Sequence, residues 1–372
     1  MNRICYIMAH PVSPRMRKRI RLVLNEAVIQ IISTERQSQD LENDGIEGLN
    51  NIIINVKIPS SGKLFLRAIE VIRFNVLLWK EICKFSPDII YISGYDPLLS
   101  AALYKKVKRN TRIVIEFGDI RSIFITQKKD IKSVLSSRSL NLFEKVLFKS
   151  VDKAVLTSEK FYSMHFCNFF EKKDVCIVPN IPDQALFDGY KRKAAGEFTI
   201  GFIGAIRYLP QLSMLIEASK GLCNLFIAGG GDVSGIRRVK ELCRDRKDIQ
   251  IYGKYRYEKE IANLYGHVDC MYAVYVAMDE NCKIALPNKL YESIICEIPI
   301  IVADGTYLGE LVNKWGVGIT VPYNDKEKLA DMIYKLKEDK AFYNEIVMCC
   351  RRKKKELELE KFMRELRKYL LG

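Results

Sequence analysis

Histidine is scarce in this chain: three in 372 residues, His10, His165 and His267. They stand too far apart in sequence to give a metal-ligand spacing. The eleven cysteines contain no Cys-x-x-Cys pair, and Cys349 and Cys350 are adjacent. Neither a zinc site nor a disulfide framework is read from them, so free thiols in a reducing cytosol are expected, with no metal and no other cofactor. No apolar run reaches the roughly 20 residues that span a bilayer. Met1-Asn2-Arg3 runs straight into the strand-like ICYIMA, so no signal peptide is expected. A P-loop, a Ser-His-Asp motif and the Gly-x-Gly-x-x-Gly dinucleotide fingerprint are all missing.

Charge, by contrast, is abundant and one-sided. Sixty Lys and Arg against 45 Asp and Glu leave a formal +15. That excess suggests a polyanionic partner: nucleic acid, an anionic membrane surface or phosphorylated substrates. Nucleic acid is set aside, because the basic residues are dispersed and no finger, RNP-type or helix-turn-helix signature accompanies them. Residues 63–84, KLFLRAIEVIRFNVLLWKEICK, mix apolar residues with Lys63, Arg67, Arg73, Lys80 and Lys84. Such a helix can lie in a lipid interface, or it can be an ordinary packed helix with solvated cations.

Hydrophobic residues make up 48% of the chain, enough for two cores, and the length favours two domains. Short β-branched runs at 4–9, 28–33, 52–58, 88–93, 112–117, 154–157 and 175–179 read as strands. Helix-length segments separate several of them, at 64–85, 98–108 and 134–150, while 41–51 is polar and reads as a loop. Residues 181–197 carry Pro, Gly and a basic cluster and read as a linker. A second series then supplies strands at 199–203, 225–228, 249–252, 270–274, 300–302 and 318–321. Its helices read at 212–219, 236–244, 259–266, 288–296 and 326–337. Buried runs alternating with helices argue for parallel sheets covered on both faces. The expected fold is α/β, two tandem doubly wound Rossmann-like domains. Residues 1–185 form the first, 186–197 the linker and 198–350 the second, with a charged helix over 351–372.

The most informative stretch is 285–312, ALPNKLYESIICEIPIIVADGTYLGELV. It reads as a helix opening on Pro287, a buried strand near residue 300, a turn at Asp304-Gly305 and another helix. Proline suits a first helical position. The free amides near Asn288 and Lys289 would face an anion such as a diphosphate. Lys289 adds a full charge, and Glu292 lies one turn further on the same face. Amides and lysine for phosphates with a carboxylate for ribose hydroxyls suit a nucleotide-sugar.

Pro287-Asn288-Lys289-Leu290-Tyr291-Glu292, followed by Cys296-Glu297-Ile298-Pro299-Ile300, resembles the donor-binding motif of glycosyltransferase family 4, retaining enzymes of the GT-B fold. The variant of the motif is that of the bacterial capsule, O-antigen and exopolysaccharide branch. That family usually has Gly where Glu297 stands. Its more widespread form has a second glutamate eight positions before Glu292, where this chain has Ile284; Glu280 or Asn281 would take over that contact with the donor sugar.

The resemblance implies a GT-B architecture with a cleft between the domains, donor on the second and acceptor on the first, closing to exclude water. The final helix commonly crosses back onto the first domain. The implied reaction moves a sugar from a nucleotide-diphosphate donor to a hydroxyl, with a lipid-linked acceptor at the cytoplasmic membrane face. Lys289, Arg207 and the helix amides would stabilise the leaving diphosphate without a divalent metal.

Further residues extend the reading. Gly201-Phe202-Ile203-Gly204-Ala205-Ile206-Arg207 opens the second domain. Glycine after a strand lets a ligand approach the backbone at Gly204. The family places an Arg after that glycine and a Lys further on; here Arg207 is the sole cation and is assigned the diphosphate, a solvated surface arginine being the alternative. The turn at 229–232 reads as backbone geometry rather than ligand contact. Tyr252, at the end of a strand, is a stacking surface for the base or a core aromatic. In the first domain His10 and Arg15 follow strand one, at the strand end where open parallel sheets bind ligands, and are assigned to the acceptor. Asp119 follows Gly118, where relatives often have His or Arg; it would accept the acceptor's hydroxyl proton or orient the donor, or simply cap the next helix. Two other classes stay open: a nucleotide-sugar 2-epimerase, and a non-catalytic GT-B subunit that partners another transferase.

Overall fold

The computed structural model describes residues 1–34, 46, 48–56, 64–120, 142, 145–192 and 196–372. Most of the loop read at 41–51, part of the helix read at 134–150, Lys63 and positions 193–195 of the linker lie outside them. The chain divides into two compact units, Met1–Pro179 with Glu360–Gly372, and Asn180–Leu359.

The first unit runs β1 (Asn2–Met8), α1 (Pro14–Arg21), β2 (Ala27–Thr34), β3 (Asn51–Ile54), α2 (Leu64–Phe85), β4 (Ile89–Ser93), α3 (Leu98–Val107), β5 (Arg112–Phe117), β6 (Lys153–Leu156), α4 (Glu159–Met164) and β7 (Val175–Ile177). Its sheet has the order β3-β2-β1-β4-β5-β6-β7, with every pairing parallel. The central strands are buried throughout, as in the IIYIS of β4, because helices cover both faces. Order reverses between β1 and β4, where Ile4 pairs with both Ile29 and Ile89. Crevices for ligands open at the carboxyl ends of strands at such a switch.

The second unit continues with β8 (Thr199–Ile203), α5 (Leu209–Ala218), β9 (Asn224–Ala228), α6 (Val233–Leu242), β10 (Ile249–Gly253), α7 (Tyr257–Tyr265), β11 (Cys270–Ala273), α8 (Glu280–Ile284), α9 (Asn288–Ile295), β12 (Ile300–Ala303), α10 (Tyr307–Trp315), β13 (Gly318–Val321), α11 (Lys326–Glu338) and α12 (Lys340–Lys355). The order β10-β9-β8-β11-β12-β13 repeats the doubly wound plan, all parallel, with its switch between β8 and β11. Both units are Rossmann-like.

Two expectations change. The helix read over 351–372 is two pieces: α12 ends at Lys355, and α13 spans Leu359–Leu371. The break separates two packing tasks. Ile346, Val347 and Cys350 of α12 are buried in the second unit, whereas Leu366 and Leu370 of α13 join the first unit's core with Ile4, Tyr6 and Met16. Asn2 Nδ2 donates to Leu370 O at 3.2 Å and Arg112 Nη1 to Tyr369 O at 3.1 Å, which ties α13 to strands β1 and β5. Pro287 is the second change: it is the N-cap of α9, with extended φ −76° and ψ 154°, and the first helical residue is Asn288.

Candidate functional site

In the second unit the β8 and β11 ends flank the start of α9. The Lys289 side chain passes between them. Its Nζ lies 4.2 Å from the centre of the Phe202 ring on β8 and 5.6 Å from that of Tyr275, just beyond β11. Its Cε would sit 3.0 Å from a Cβ at Gly204, whose φ of +145° also favours glycine. Lys289 is only 8% exposed. Among the described residues it has no ion-pair or hydrogen-bond partner. Burial pushes its pKa down to about 8, against an upward pull from Glu292. A buried ammonium with its three donors unspent is a site awaiting an anion.

The helix start adds donors. A proline N-cap offers no side-chain acceptor. Leu290 N–H reaches back to Pro287 O at 3.2 Å, while the amides of Asn288 and Lys289 have no partner among the described residues. Arg207 is exposed, and its charge acts on the Tyr275 phenol. Both cations therefore border one tyrosine.

Glu292 is buried one turn along α9. Tyr257 donates its hydroxyl to Oε1 at 2.6 Å and Tyr265 donates to Oε2 at 2.7 Å. Burial first, then the Glu292 charge, hold both phenols well above the usual tyrosine range, so they stay protonated donors. Tyr255 is raised for the same two reasons.

Asn281 and Glu280 part company on α8. Asn281 is buried, and its neighbour Cys282 meets the Tyr208 hydroxyl at 3.2 Å. Glu280 is exposed and pairs with Lys283 at 3.0 Å. Ile284 is buried. Tyr252 lies on the edge strand β10, partly exposed, its hydroxyl donating to Glu260 at 2.5 Å and its ring tilted against Phe226. The glycine turn serves backbone packing: a Cβ at Gly229, with φ +152°, would collide with the Gly204 carbonyl.

In the first unit His10, Arg15 and Asp119 line one pocket of about 260 Å³ at the ends of β1, β4 and β5. Ser13 caps α1, accepting from Met16 N at 3.4 Å, and this sets Arg15 in the first turn. His10 Nδ1 lies 2.7 Å from the Pro11 carbonyl, which only accepts, so Nδ1 carries the proton; Nε2 faces Ser93 Oγ at 3.3 Å. The Arg15 guanidinium lies over Gly118, with Cζ 2.9 Å from where a Cβ would stand. The space left by glycine is filled by an arginine from another element. Whether Asp119 caps a helix depends on positions beyond 120, outside the described residues. Among the described residues no group of three or more His, Cys, Asp or Glu could hold a metal ion.

Residues 197–339 match the family described as "Glycosyl transferases group 1". The chain is a glycosyltransferase. The solved structures similar to this glycosyltransferase include sucrose-phosphate synthase from Thermosynechococcus elongatus, 14% identical with TM-score 0.76, covering 100% of this chain and 98% of the other. HepE from Anabaena in complex with UDP is 13% identical with TM-score 0.71, covering 100% and 99%. A glycosyltransferase from Rickettsia africae is 17% identical with TM-score 0.69, covering 100% and 99%. At such identities the likeness concerns the fold, which is that of two-unit GT-B glycosyltransferases. No curated protein matches the sequence.

The glycosyltransferase thus brings Lys289, Glu292, Arg207, Gly204 and Asn288 near the switch point of its second sheet. Tyr252 and Glu280 are engaged elsewhere, with Glu260 and Lys283. Sequence reasoning passed over Tyr257, Tyr265 and Tyr275. The first two are eight residues apart on one stripe of α7, a spacing that reads as core.

Proposed function

We propose that the chain is a retaining glycosyltransferase of family 4 type, acting on a nucleotide-diphosphate-sugar. The observation that carries this reading is Lys289, a desolvated cation with no ion-pair partner among the described residues, at the β8–β11 switch point. HepE, similar in fold, is known in complex with UDP and with UDP-glucose. In this reading Lys289, Arg207 and the Asn288 and Lys289 amides hold the diphosphate, and Glu292, steadied by Tyr257 and Tyr265, accepts from the ribose hydroxyls. The bond from sugar C1 to the β-phosphate oxygen breaks and a bond from the acceptor oxygen to C1 forms. The acceptor's proton passes to the leaving phosphate. Negative charge grows on that phosphate, and the fixed cations stabilise it most in the transition state. No divalent metal is required in this scheme.

The first unit is proposed to take the acceptor, a lipid-linked saccharide of bacterial surface polysaccharide assembly, through the His10, Arg15 and Asp119 pocket. A membrane placement at the cytoplasmic face is supported by α2. Its inner face buries Phe74, Leu78 and Ile82, yet Leu66, Ile69, Ile72 and Val76 stay 44–59% exposed along one stripe. Arg73, Lys80 and Lys84 are exposed beside them, and Leu103 and Val107 of α3 are exposed too. Apolar side chains among cations suit an anionic lipid surface. No helix among the described residues is long and apolar enough to cross a membrane.

Release of UDP or GDP from a panel of nucleotide-sugars tests the reaction. Turnover abolished by Lys289→Ala and by Glu292→Ala upholds it. Tight donor binding without turnover on any lipid acceptor would replace it by the partner-subunit reading.

A further inference from the structure

The first unit's pocket is built around an ion cluster in which cations outnumber anions. Glu116, fully buried on β5, receives Arg19 Nε at 3.3 Å and Nη2 at 3.2 Å. The Tyr91 hydroxyl donates to the same carboxylate at 2.5 Å. Arg15 Nε stands 3.2 Å from Glu116 Oε1. Two guanidiniums thus share one carboxylate, and one positive charge is left over.

That surplus is directed outward. Arg19 is fully buried, with further contacts to Val178 O at 3.4 Å and Met363 Sδ at 3.1 Å. Arg15 is the partly exposed member, at 25% of its side chain. Its Nε faces the carboxylate, while its two Nη groups have no hydrogen-bond partner among the described residues. The guanidinium reaches its place only because position 118 is glycine. The pocket itself is lined by two carboxylates: Asp96 is paired with Arg67 at 2.8 Å, and Asp119 follows Gly118.

We propose that this pocket is an oxyanion receptor, gripping a phosphate group of the acceptor with the two Nη groups of Arg15. A guanidinium held at one edge presents a planar fork that matches two oxygens of a phosphate. Desolvation inside a pocket of about 260 Å³ strengthens the pair relative to water. The inference deepens the acceptor role proposed for this unit and rests on that reading for the identity of the bound molecule.

The test is side-chain ¹H–¹⁵N NMR of arginine in the full chain, titrated with inorganic phosphate and with geranyl diphosphate. UDP and GDP are titrated separately as probes of the second unit. Phosphate is expected to shift the Arg15 signals, assigned by their loss in Arg15→Lys. Gly118→Ala is the decisive variant, because its Cβ meets only the end of a flexible side chain and so should displace the guanidinium without unfolding the protein. Its thermal midpoint should stay near that of the parent. Its phosphate affinity should fall by about tenfold or more, the loss of a charge-assisted hydrogen bond. Geranyl diphosphate binding more tightly than phosphate at Arg15 points to a lipid-linked source, and equal binding to a simple phosphate; either upholds the receptor. Arg15 signals that stay still in both titrations, or an unchanged affinity in Gly118→Ala, overturn it even if nucleotides bind the second unit. Arg15 responding while no nucleotide binds would instead remove the donor reading and leave the receptor standing.

Discussion

The ammonium of Lys289 sits 4.2 Å from the centre of the Phe202 ring, and the ring face is the attraction that offsets part of its burial. A buried lysine depressed from 10.5 to about 8 marks a cost on the order of 3 kcal/mol to the folded protein. Lys289→Met keeps the length and removes the charge. It is expected to raise stability in urea by about 1–3 kcal/mol at neutral pH, while nucleoside diphosphate binding by calorimetry is lost. A variant that is both less stable and unable to bind would show that the lysine is a structural residue.

Diphosphate binding should depend on pH through the same group. The ligand needs the charged lysine, and the free protein holds that charge only below about pH 8. Affinity is expected to fall by about tenfold per pH unit above that point. Binding near pH 8 should take up a proton, seen as a dependence of calorimetric heat on buffer ionisation. For the unliganded protein the sign is reversed. The folded pKa lies below the unfolded one, so the penalty is fully present below about 8 and is relieved as pH rises toward 10.5.

Tyr257 and Tyr265 each give one hydroxyl to the buried Glu292 carboxylate. Tyr265→Phe leaves one oxygen without its phenol donor and is expected to cost about 1.5–3 kcal/mol of stability. Tyr257→Phe should lower nucleotide affinity as well, because Tyr257 also bonds Asn288 at the start of α9. Denaturation of the two single variants and the double, alongside Glu292→Gln, would give a coupling energy near zero if the hydroxyls were incidental.

Glu297 occupies the left-handed region at φ +56°, in the position where the resembled motif has glycine. It is held there with Arg351 at 2.9 Å and Lys354 at 3.4 Å, both on α12. Glu297→Gly relieves backbone strain of about 1 kcal/mol and loses two exposed ion pairs. The change in stability is expected to be small at low salt. It should become a gain of about 0.5–1 kcal/mol at about 1 M salt, where the pairs are screened. A variant destabilised equally at both salt concentrations would contradict this.

The α2 stripe can be tested without touching either pocket. Ile72→Asp with Val76→Asp alters only exposed positions, so melting should hardly change. Flotation with vesicles rich in phosphatidylglycerol is expected to fall by about tenfold or more, and Arg73→Glu with Lys80→Glu should act similarly, at about 1 kcal/mol for each cation. Equal flotation of parent and variants would remove α2 from membrane contact.

Most strands were legible because they are short, largely buried apolar runs, such as IIYIS in β4 and IIVA in β12. The α2 limits at Leu64 and Phe85 were legible for the complementary reason, a long apolar pattern ending at Ser86-Pro87. The break between α12 and α13 was not, since charged residues such as Lys353 to Glu358 continue a helix as readily as they end one. Tyr257 and Tyr265 did not stand out, because local spacing cannot say which buried hydroxyl faces a carboxylate.

The sequence by itself determined two doubly wound units and put Lys289 and Glu292 one turn apart, because hydrophobic period and helix spacing are local properties of the chain. Only the tertiary structure decided that Lys289 would be stripped of water between Phe202 and Tyr275, that two tyrosines from α7 would hold Glu292, and that Arg15 would fill the gap above Gly118. Those relationships join residues 14 to 103 positions apart, and their distances come from strand order and packing, which no local pattern encodes.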